Sequence, residues 1–272
     1  MPLGGRPLFP EIVNAHHRIA PHVVDLTGAS VFLKHEHHQI TGSFKLRGAL
    51  NKILANESAC RDKGVIVASS GNHGIACCAA AAKLGTTHGE NGEKTISVTV
   101  CVPSSVSEAK RSLMEHYGAH IITVEGDCVN SEARARREAD ERGMVLVHPY
   151  NDMQVMAGQG TIGIELNAVQ NPHCLVVACH AANSCVMYES LKAGRTLAAD
   201  EVDQKPTLCD GVAGGIEHNC VTFVHCRDVI DHHVVVSEAE VREAMKWMAE
   251  SEHFIVEGAA ALAVAGLVKS LR

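Results

Sequence analysis

The chain has 272 residues, of which 46% are hydrophobic and 20% charged, with a formal net charge of −7 and a pI near 6.2. This composition is typical of a globular protein, and the length suits one large domain or two smaller ones. The acidic balance offers no basic surface for a phosphate backbone, which argues against nucleic-acid binding. No apolar run reaches membrane-spanning length and the first residues lack the apolar stretch of a signal peptide, so we expect a cytoplasmic protein without a membrane partner.

Short apolar runs rich in β-branched residues alternate with helical stretches along the chain. The predicted strands are 31–33, 65–67, 96–102, 121–124, 144–147, 174–178 and 234–236. The predicted helices are a first one that Ser43 caps and that runs through 45–53, followed by 75–84, 108–117, 131–141, 161–169, 238–252 and 259–271. Alternation of this kind predicts an α/β protein, with a parallel sheet that helices cover on both faces.

The chain contains 11 cysteines, which raises the question of disulfides. Their number is odd and no two have the spacing Cys-x-x-Cys. Cys77 and Cys78 are adjacent within a run of alanines. We therefore expect reduced, mostly buried thiols that pack as small hydrophobic groups.

The 18 histidines raise the question of a metal site. Segment 35–38 reads His-Glu-His-His, but residues one or two apart on a strand or turn are not expected to converge on one ion. His116 and His120 have helical spacing, yet Gly118 between them is predicted to end that helix. The sequence therefore predicts no metal site at these histidines.

Segment 158–163, Gly-Gln-Gly-Thr-Ile-Gly, matches the dinucleotide-binding pattern G-x-G-x-x-G. That pattern must follow a strand directly and needs an acidic residue about twenty positions later. Here the preceding strand is predicted to end near 147, and segment 180–183 has no acidic residue. We therefore expect no NAD site.

Two other segments favour a site. Lys45 is predicted on the first turn of a helix, where the dipole and the unpaired amides disfavour a positive charge, and Phe44 adds apolar cover. Both effects lower the pKa of an amine, as a Schiff-base lysine requires. The loop 69–74 lies between a buried strand and a helix, where backbone amides suit a carboxylate or a phosphate.

Together these segments resemble the fold-type II pyridoxal-phosphate enzymes, most closely the threonine/serine dehydratase and serine racemase family. The matching segments run in the family's order along nearly the whole chain: 41–49, 68–74, 101–103, 117–119, 148–149, 157–161, 210–211 and 256–259. The resemblance implies a two-domain, parallel-sheet α/β fold of the tryptophan synthase β-like kind. It assigns 1–56 and 144–272 to a large cofactor-binding domain and 57–143 to a small substrate-loop domain.

The resemblance also implies roles for individual residues. Lys45 is expected to bind pyridoxal 5'-phosphate covalently, with Phe44 beside the cofactor, and Asn72 to hydrogen-bond the cofactor's ring oxygen. Gly211 and Glu257 are expected near the cofactor. The substrate carboxylate is expected to lie against the loop residues Ser69, Ser70, Gly71, Asn72 and His73.

The reaction that the resemblance implies is dehydration of a small hydroxy-amino acid, with Lys45 as the base that removes the α-proton. Ser70 matches the position at which racemases carry a serine on the face opposite the lysine. This leaves racemisation open beside elimination, and leaves threonine, serine and 3-hydroxyaspartate open as substrates. Because relatives pair, we expect a homodimer.

Two parts of the family pattern have no counterpart. Strand 174–178 should lead into a glycine-rich turn that holds the cofactor phosphate, but no glycine occurs between 164 and 193. We therefore expect one βα unit and the following strand to be missing, with the family's metal-site glutamate, and the C-terminal strand to be missing as well. Gly214 and Gly215 are a candidate replacement for the turn. A catalytically inactive member that acts as a partner subunit stays open.

Overall fold

A computed structural model describes residues 31–88, 95–126, 128–169 and 175–271. Its strands are β1 Val65–Ala68, β2 Val98–Pro103, β3 His120–Val124, β4 Val145–Leu146, β5 Val177–Ala181 and β6 His232–Val236. Its α-helices are α1 Lys45–Ala55, α2 Glu57–Lys63, α3 Asn72–His88, α4 Glu108–His116, α5 Cys128–Arg142, α6 Met153–Val169, α7 Val186–Ala193, α8 Val221–Val229, α9 Glu238–Glu250 and α10 Gly258–Ser270. Strands and helices alternate, as the sequence predicts.

The described strands form two sheets, and every pair in them is parallel. The larger sheet has the order β3-β2-β1-β4, and the smaller one pairs β5 with β6. Parallel neighbours need crossover connections, which the intervening helices supply. The α/β class is therefore confirmed. Strand β4 pairs with β1, and the predicted domain boundary just before it, between 143 and 144, stays a prediction.

The two central strands of the larger sheet are buried on both faces, whereas the edge strand β3 has two exposed residues and β4 is half-buried. All four residues of β1 and all six of β2 are buried, as expected for parallel strands between two helical layers. On one face Val67 and Val100 pack with Ile53 of α1 and the alanines and cysteines of α3. On the other face Ile66 packs with Ala135 of α5. The small side chains of α3 let this helix lie close to the sheet.

The smaller sheet has its own core. Ala181 at the end of β5 and Val236 at the end of β6 pack with Val241 of α9 and Leu262 of α10. Ser237 begins α9 with a reciprocal pair of hydrogen bonds, in which its hydroxyl accepts from the Glu240 amide and the Glu240 carboxylate accepts from the Ser237 amide. Capping of this kind satisfies amides that have no partner within the helix.

Some predicted elements were wrong in their existence or their extent. The described residues 31–33 form no strand, because three apolar residues without a bonded neighbour do not hold an extended conformation. The strand predicted at 174–178 begins instead at Val177 and ends at Ala181. The helix predicted at 161–169 begins at Met153, where the Asp152 carboxylate accepts from the Gln154 amide at 2.8 Å and caps it.

The glycine pattern at 158–163 therefore lies in the interior of α6. A Cβ at Gly158 would lie 2.6 Å from the Arg47 carbonyl oxygen and 2.7 Å from the Gly48 Cα. Gly158 thus allows α1 and α6 to cross at close range. The segment has the conformation of a helix interior and not that of a phosphate-binding turn.

The cysteines with described side chains are free thiols. Most of them are buried, as the sequence predicts. Among the described helices, none has the length and apolar content required to cross a bilayer.

Candidate active site

Lys45 is the first residue of α1. The N-cap position is Phe44, whose side chain makes no capping hydrogen bond, so the prediction that Ser43 caps this helix was wrong. The Ser43 hydroxyl lies one residue earlier and accepts from the Lys45 backbone amide at 3.4 Å. Burial lowers the pKa of the Lys45 ammonium below its ordinary value, and the charge of a Cys77 thiolate would oppose this shift. Burial also raises the pKa of Cys77 well above its usual range, so the thiol is neutral at physiological pH and the opposition is absent there.

The Phe44 ring covers the Lys45 amine. The distance from Lys45 Nζ to the ring centroid is 5.1 Å, which is within cation–π range. The ring excludes water from one side of the amine but also favours its protonated form. Desolvation is the largest cause of the shift in the Lys45 pKa, whose direction is towards the neutral amine.

The His73 side chain is buried and is influenced by the charge of Lys45. Its Nε2 is 3.0 Å from the Val147 carbonyl oxygen, and the Cys77 sulfur is 3.8 Å from the same nitrogen. Burial, followed by the charge of Lys45, lowers the pKa of His73 to about 3. The imidazole is therefore neutral, and a contribution of His73 to carboxylate binding would have to come from its backbone amide.

The loop from Ser69 to Asn72 joins β1 to α3. The Ser69 amide donates to the Cys101 carbonyl of β2 at 3.2 Å, and the Gly71 amide donates to the Ser69 hydroxyl at 3.2 Å. Ser70 between them is half-buried. The loop ends at the N-terminus of a 17-residue helix, where the dipole and the amide groups favour a carboxylate.

A second group of residues surrounds Asn72. Its side-chain amide donates to Oε2 of Glu257 at 2.9 Å. The Gly211 backbone lies beside the same carboxylate, since a Cβ there would be 3.9 Å from Oε2. Three residues that the resemblance assigns to the cofactor, Asn72, Gly211 and Glu257, therefore come together in the structure. Asn72 directly precedes His73, so α3 joins this group to the Lys45 group.

Sequence reasoning missed the ion pair of Lys110 and Asp210, whose Nζ and Oδ2 atoms are 3.4 Å apart. Lys110 Nζ also lies 3.7 Å from the Cβ position of Gly71, which puts a cation beside the loop. In the sequence, Asp210 stands out only because it directly precedes Gly211 in a segment that matches the family. Lys110 has no such signal, because its position next to Gly71 depends on how α4 packs.

The segment after β5 is where the family pattern leads us to expect a phosphate site. The Ala182 amide donates to the Val236 carbonyl and the Ser184 amide to the Ala181 carbonyl. The Ser184 hydroxyl donates to Gln204 and accepts from the Gly214 amide at 3.1 Å. These donors are therefore already bonded within the protein.

Gly215 packs closely on Ala199, since a Cβ there would lie 2.8 Å from the Ala199 Cβ. The described residues thus fit pyridoxal phosphate at the aldehyde end, where Lys45 and Asn72 lie. At the phosphate end, the amides of Ala182, Ser184 and Gly214 are bonded within the protein and are not free to hold a phosphate.

A parallel α/β fold with a desolvated lysine at the start of one helix and an amide-bearing loop at the start of the next defines a class, that of lysine-dependent enzymes acting on amino acids or carbonyl compounds. The sequence matches the family described as "Pyridoxal-phosphate dependent enzyme" over residues 16–182 and 166–272. The chain belongs to this family, and the resemblance predicted from the sequence is confirmed.

The chain is similar to named members of this family. It is 33% identical over 274 residues to the L-threonine ammonia-lyase of Thermotoga maritima, covering 91% of this chain and 65% of that enzyme. It resembles the structure of maize serine racemase with a TM-score of 0.77 and 27% identity, covering 94% of this chain and 84% of that one. It also resembles the crystal structure of the T.th. threonine deaminase, with a TM-score of 0.76, 29% identity, and coverage of 97% and 93%.

The chain thus spans slightly less than two thirds of the Thermotoga enzyme. The cofactor of the family is the one that the sequence predicts for Lys45.

Proposed function

We propose that this protein is a pyridoxal-phosphate-dependent ammonia-lyase that converts L-threonine or L-serine to a 2-oxo acid and ammonia. The observation that carries the proposal is the environment of Lys45. This residue begins a helix, and burial lowers the pKa of its amine. The similarity to a threonine ammonia-lyase and to a threonine deaminase supports the choice of substrate.

The proposed role of Lys45 is that of a general base. Its neutral Nζ accepts the α-proton of the substrate, and the low pKa keeps this nitrogen unprotonated in a larger fraction of molecules. Pyridoxal phosphate, when bound, supplies an electron-accepting ring that stabilises negative charge at the substrate α-carbon. The Ser69–His73 loop is proposed to orient the substrate by binding its carboxylate at the N-terminus of α3.

The net reaction removes the α-proton and the β-hydroxyl as water. The enamine product then takes up one water, which releases ammonia and leaves a 2-oxo acid. Asn72 and Glu257 are proposed to face the cofactor ring, and their hydrogen bond fixes the amide orientation before a ligand binds. Phe44 is proposed to exclude water beside the Lys45 amine.

A second candidate is racemisation of serine. Ser70 follows Ser69 in the loop and is half-buried, and its hydroxyl is proposed to return a proton from the face opposite Lys45. The similarity to maize serine racemase favours this candidate.

The third candidate is a shortened, inactive member that acts as a partner subunit. It is favoured by the poor fit at the phosphate end, where the amides near Ser184 and Gly214 are already bonded. Assembly as a homodimer and a cytoplasmic location are further parts of the proposal that remain to be measured.

The test adds pyridoxal phosphate to the purified chain, records the visible spectrum, reduces the sample with borohydride and maps the modified peptide. We expect one modification, at Lys45, and none at that position in Lys45→Ala. Lys63→Ala removes an exposed lysine and is the matched control, which should retain the modification.

Turnover then separates the candidates. Release of 2-oxo acid from L-threonine or L-serine supports the ammonia-lyase, and formation of D-serine that is lost in Ser70→Ala supports the racemase. A folded chain that gains no modification at Lys45 would exclude both enzymatic candidates for this chain.

A further inference from the structure

The turn before α1 carries three histidines that the proposed function does not use. Glu36–His38 form one turn of 3₁₀ helix, and His35 is the residue that precedes it. A 3₁₀ helix has three residues per turn, so positions i and i+3 eclipse each other. His35 and His38 accordingly stack, with ring centroids 5.0 Å apart and planes at 18°, and His37 lies edge-on to both.

The expectation that these histidines diverge was therefore wrong. One ring nitrogen of each histidine lies within 4.8 Å of a ring nitrogen of the other two. In addition, Nδ1 of His35 and Nε2 of His37 are buried and have no hydrogen-bond partner. A buried polar atom without a partner is costly, so in a native structure it calls for an explanation, and a bound ion is one that suits two imidazole nitrogens side by side.

The surroundings favour a built site. The Phe254 ring contacts all three imidazoles, with centroid distances of 5.0 to 5.4 Å, and provides an apolar wall. Its amide donates to the Met248 carbonyl at 3.0 Å, which fixes it at the end of α9. The Glu36 carboxylate, on the same turn, accepts two hydrogen bonds from Arg47 at 2.8 and 2.9 Å. Its charge is therefore balanced, and the imidazoles are the ligands that the turn offers.

We propose that His35, His37 and His38 bind one divalent transition-metal ion, of which Zn²⁺ fits best. Three imidazoles with an open fourth position suit Zn²⁺, Ni²⁺ and Cu²⁺, whereas Mg²⁺ and Ca²⁺ prefer oxygen ligands. Tetrahedral bonds of about 2.0–2.1 Å place the ligand nitrogens roughly 3.4 Å apart, which small rotations of the rings can reach from separations of up to 4.8 Å. His38 is exposed to solvent and has room to turn.

A second cluster is a weaker candidate. Glu132, His148 and Glu217 also offer ligand atoms within 4.8 Å of one another. Here His148 Nε2 is likewise buried without a hydrogen-bond partner, but Glu217 pairs with the Arg136 guanidinium and accepts from the Asn151 side-chain amide, so its charge is already balanced. The Arg136 guanidinium thus supplies the positive charge in this cluster, and a variant of the cluster serves as a control for metal binding at the three histidines.

The experiment uses the full chain, freed of metal by a chelator and without pyridoxal phosphate. Zn²⁺ is titrated by equilibrium dialysis with elemental analysis, and Co²⁺ replaces it for absorption spectroscopy of the ligand field. We expect one Zn²⁺ per chain and at least about a tenfold loss of affinity in each of His35→Gln, His37→Gln and His38→Gln. Circular dichroism checks that each variant is folded.

Two variants control for other ligands. His225→Gln removes an exposed histidine of α8, and Glu217→Gln removes a carboxylate of the second cluster. Both should retain wild-type affinity. Absence of stoichiometric Zn²⁺ binding, or an affinity that falls in Glu217→Gln and not in the three histidine variants, would overturn the proposal.

Discussion

The side-chain amide of Asn72 donates a 2.9 Å hydrogen bond to Oε2 of Glu257, and so joins the first residue of α3 to the residue before α10. The carboxylate of Glu257 is exposed and Asn72 is half-buried, so water screens the pair. Gly211 lies beside the same oxygen. One contact thus connects three residues that are distant in the sequence.

We expect Asn72→Asp to lower the free energy of unfolding at pH 7 by about 0.5–1 kcal/mol. The substitution replaces a donor by a second carboxylate that faces Glu257, and exposed pairs of charges have effects of this size. Urea unfolding measures the change. The double variant Asn72→Asp with Glu257→Gln should regain most of the loss, because the glutamine amide can donate to the new carboxylate. Additive effects of the two substitutions would contradict the contact.

The lowered pKa of Lys45 predicts that this residue makes the free energy of unfolding depend on pH. Its folded-state pKa lies below the ordinary value of 10.5, so between these two pKa values the unfolded chain binds more protons than the folded chain. The stability that Lys45 contributes therefore rises with pH across this interval.

Lys45→Met should be more stable than wild type at pH 7, by about 0.5–2 kcal/mol, because the substitution removes a charge that burial disfavours. The advantage should shrink as the pH rises towards 10.5. Unfolding in urea at pH 7 and pH 9.5 provides the test, with the exposed Lys63→Met as control. An advantage of the same size at both pH values would show that a desolvated charge is not its cause.

The alternation of strands and helices was predictable because it depends on local apolar periodicity. Strands β1 and β2 are continuous buried runs that composition alone identifies. The helices α2, α7 and α8 were missed, because segments of seven to nine residues carry only a weak periodic signal. The nine-residue α4 was predicted nevertheless. The early start of α6 was missed because segment 158–163 was interpreted as the entry of a helix around 161–169 and not as its interior. The glycine at 158 is explained by its close contact with Arg47, which the sequence does not show.

The candidate site was predictable only where a local motif carries it. Lys45 and the loop from Ser69 were identified from their positions at helix starts. The contact of Asn72 with Glu257 depends on tertiary packing, and only the resemblance to a family suggested it. His35 and His38 converge because the segment forms a 3₁₀ turn with three residues per turn. The sequence suggests a strand or an irregular turn for segment 35–38, in which these side chains would not meet.

Gly158→Ala should destabilise the protein by about 1–3 kcal/mol. The new methyl group would lie 2.6 Å from the Arg47 carbonyl oxygen, and neither backbone can move without separating α1 from α6. Thermal and urea unfolding measure the loss. Gly160→Ala and Gly163→Ala are matched controls in the same helix, since no atom lies within 4 Å of their Cβ positions. These two should stabilise the protein by roughly 0.5–1 kcal/mol, because alanine restricts the unfolded chain. Equal effects at all three positions would contradict the close crossing.

His73 predicts a loss of stability in acid. Burial and the charge of Lys45 lower its pKa to about 3 in the folded protein, against 6.5 for an ordinary histidine. Between these values the unfolded chain binds a proton that the folded chain does not, so stability falls as the pH falls from 6.5 towards 3. The slope from this one group is about 1.4 kcal/mol per pH unit.

His73→Gln removes the titration while an amide donor remains available to the Val147 carbonyl. Between pH 6 and 4, the free energy of unfolding of this variant should therefore depend on pH less steeply than that of wild type, by about 1.4 kcal/mol per pH unit. This difference in slope is expected whether or not the substitution changes the stability at neutral pH. Urea titrations at half-unit intervals of pH would give both slopes, and the exposed His225→Gln controls for loss of a solvated imidazole. If His73→Gln kept the wild-type slope, the buried imidazole would not be the group whose protonation accompanies acid unfolding.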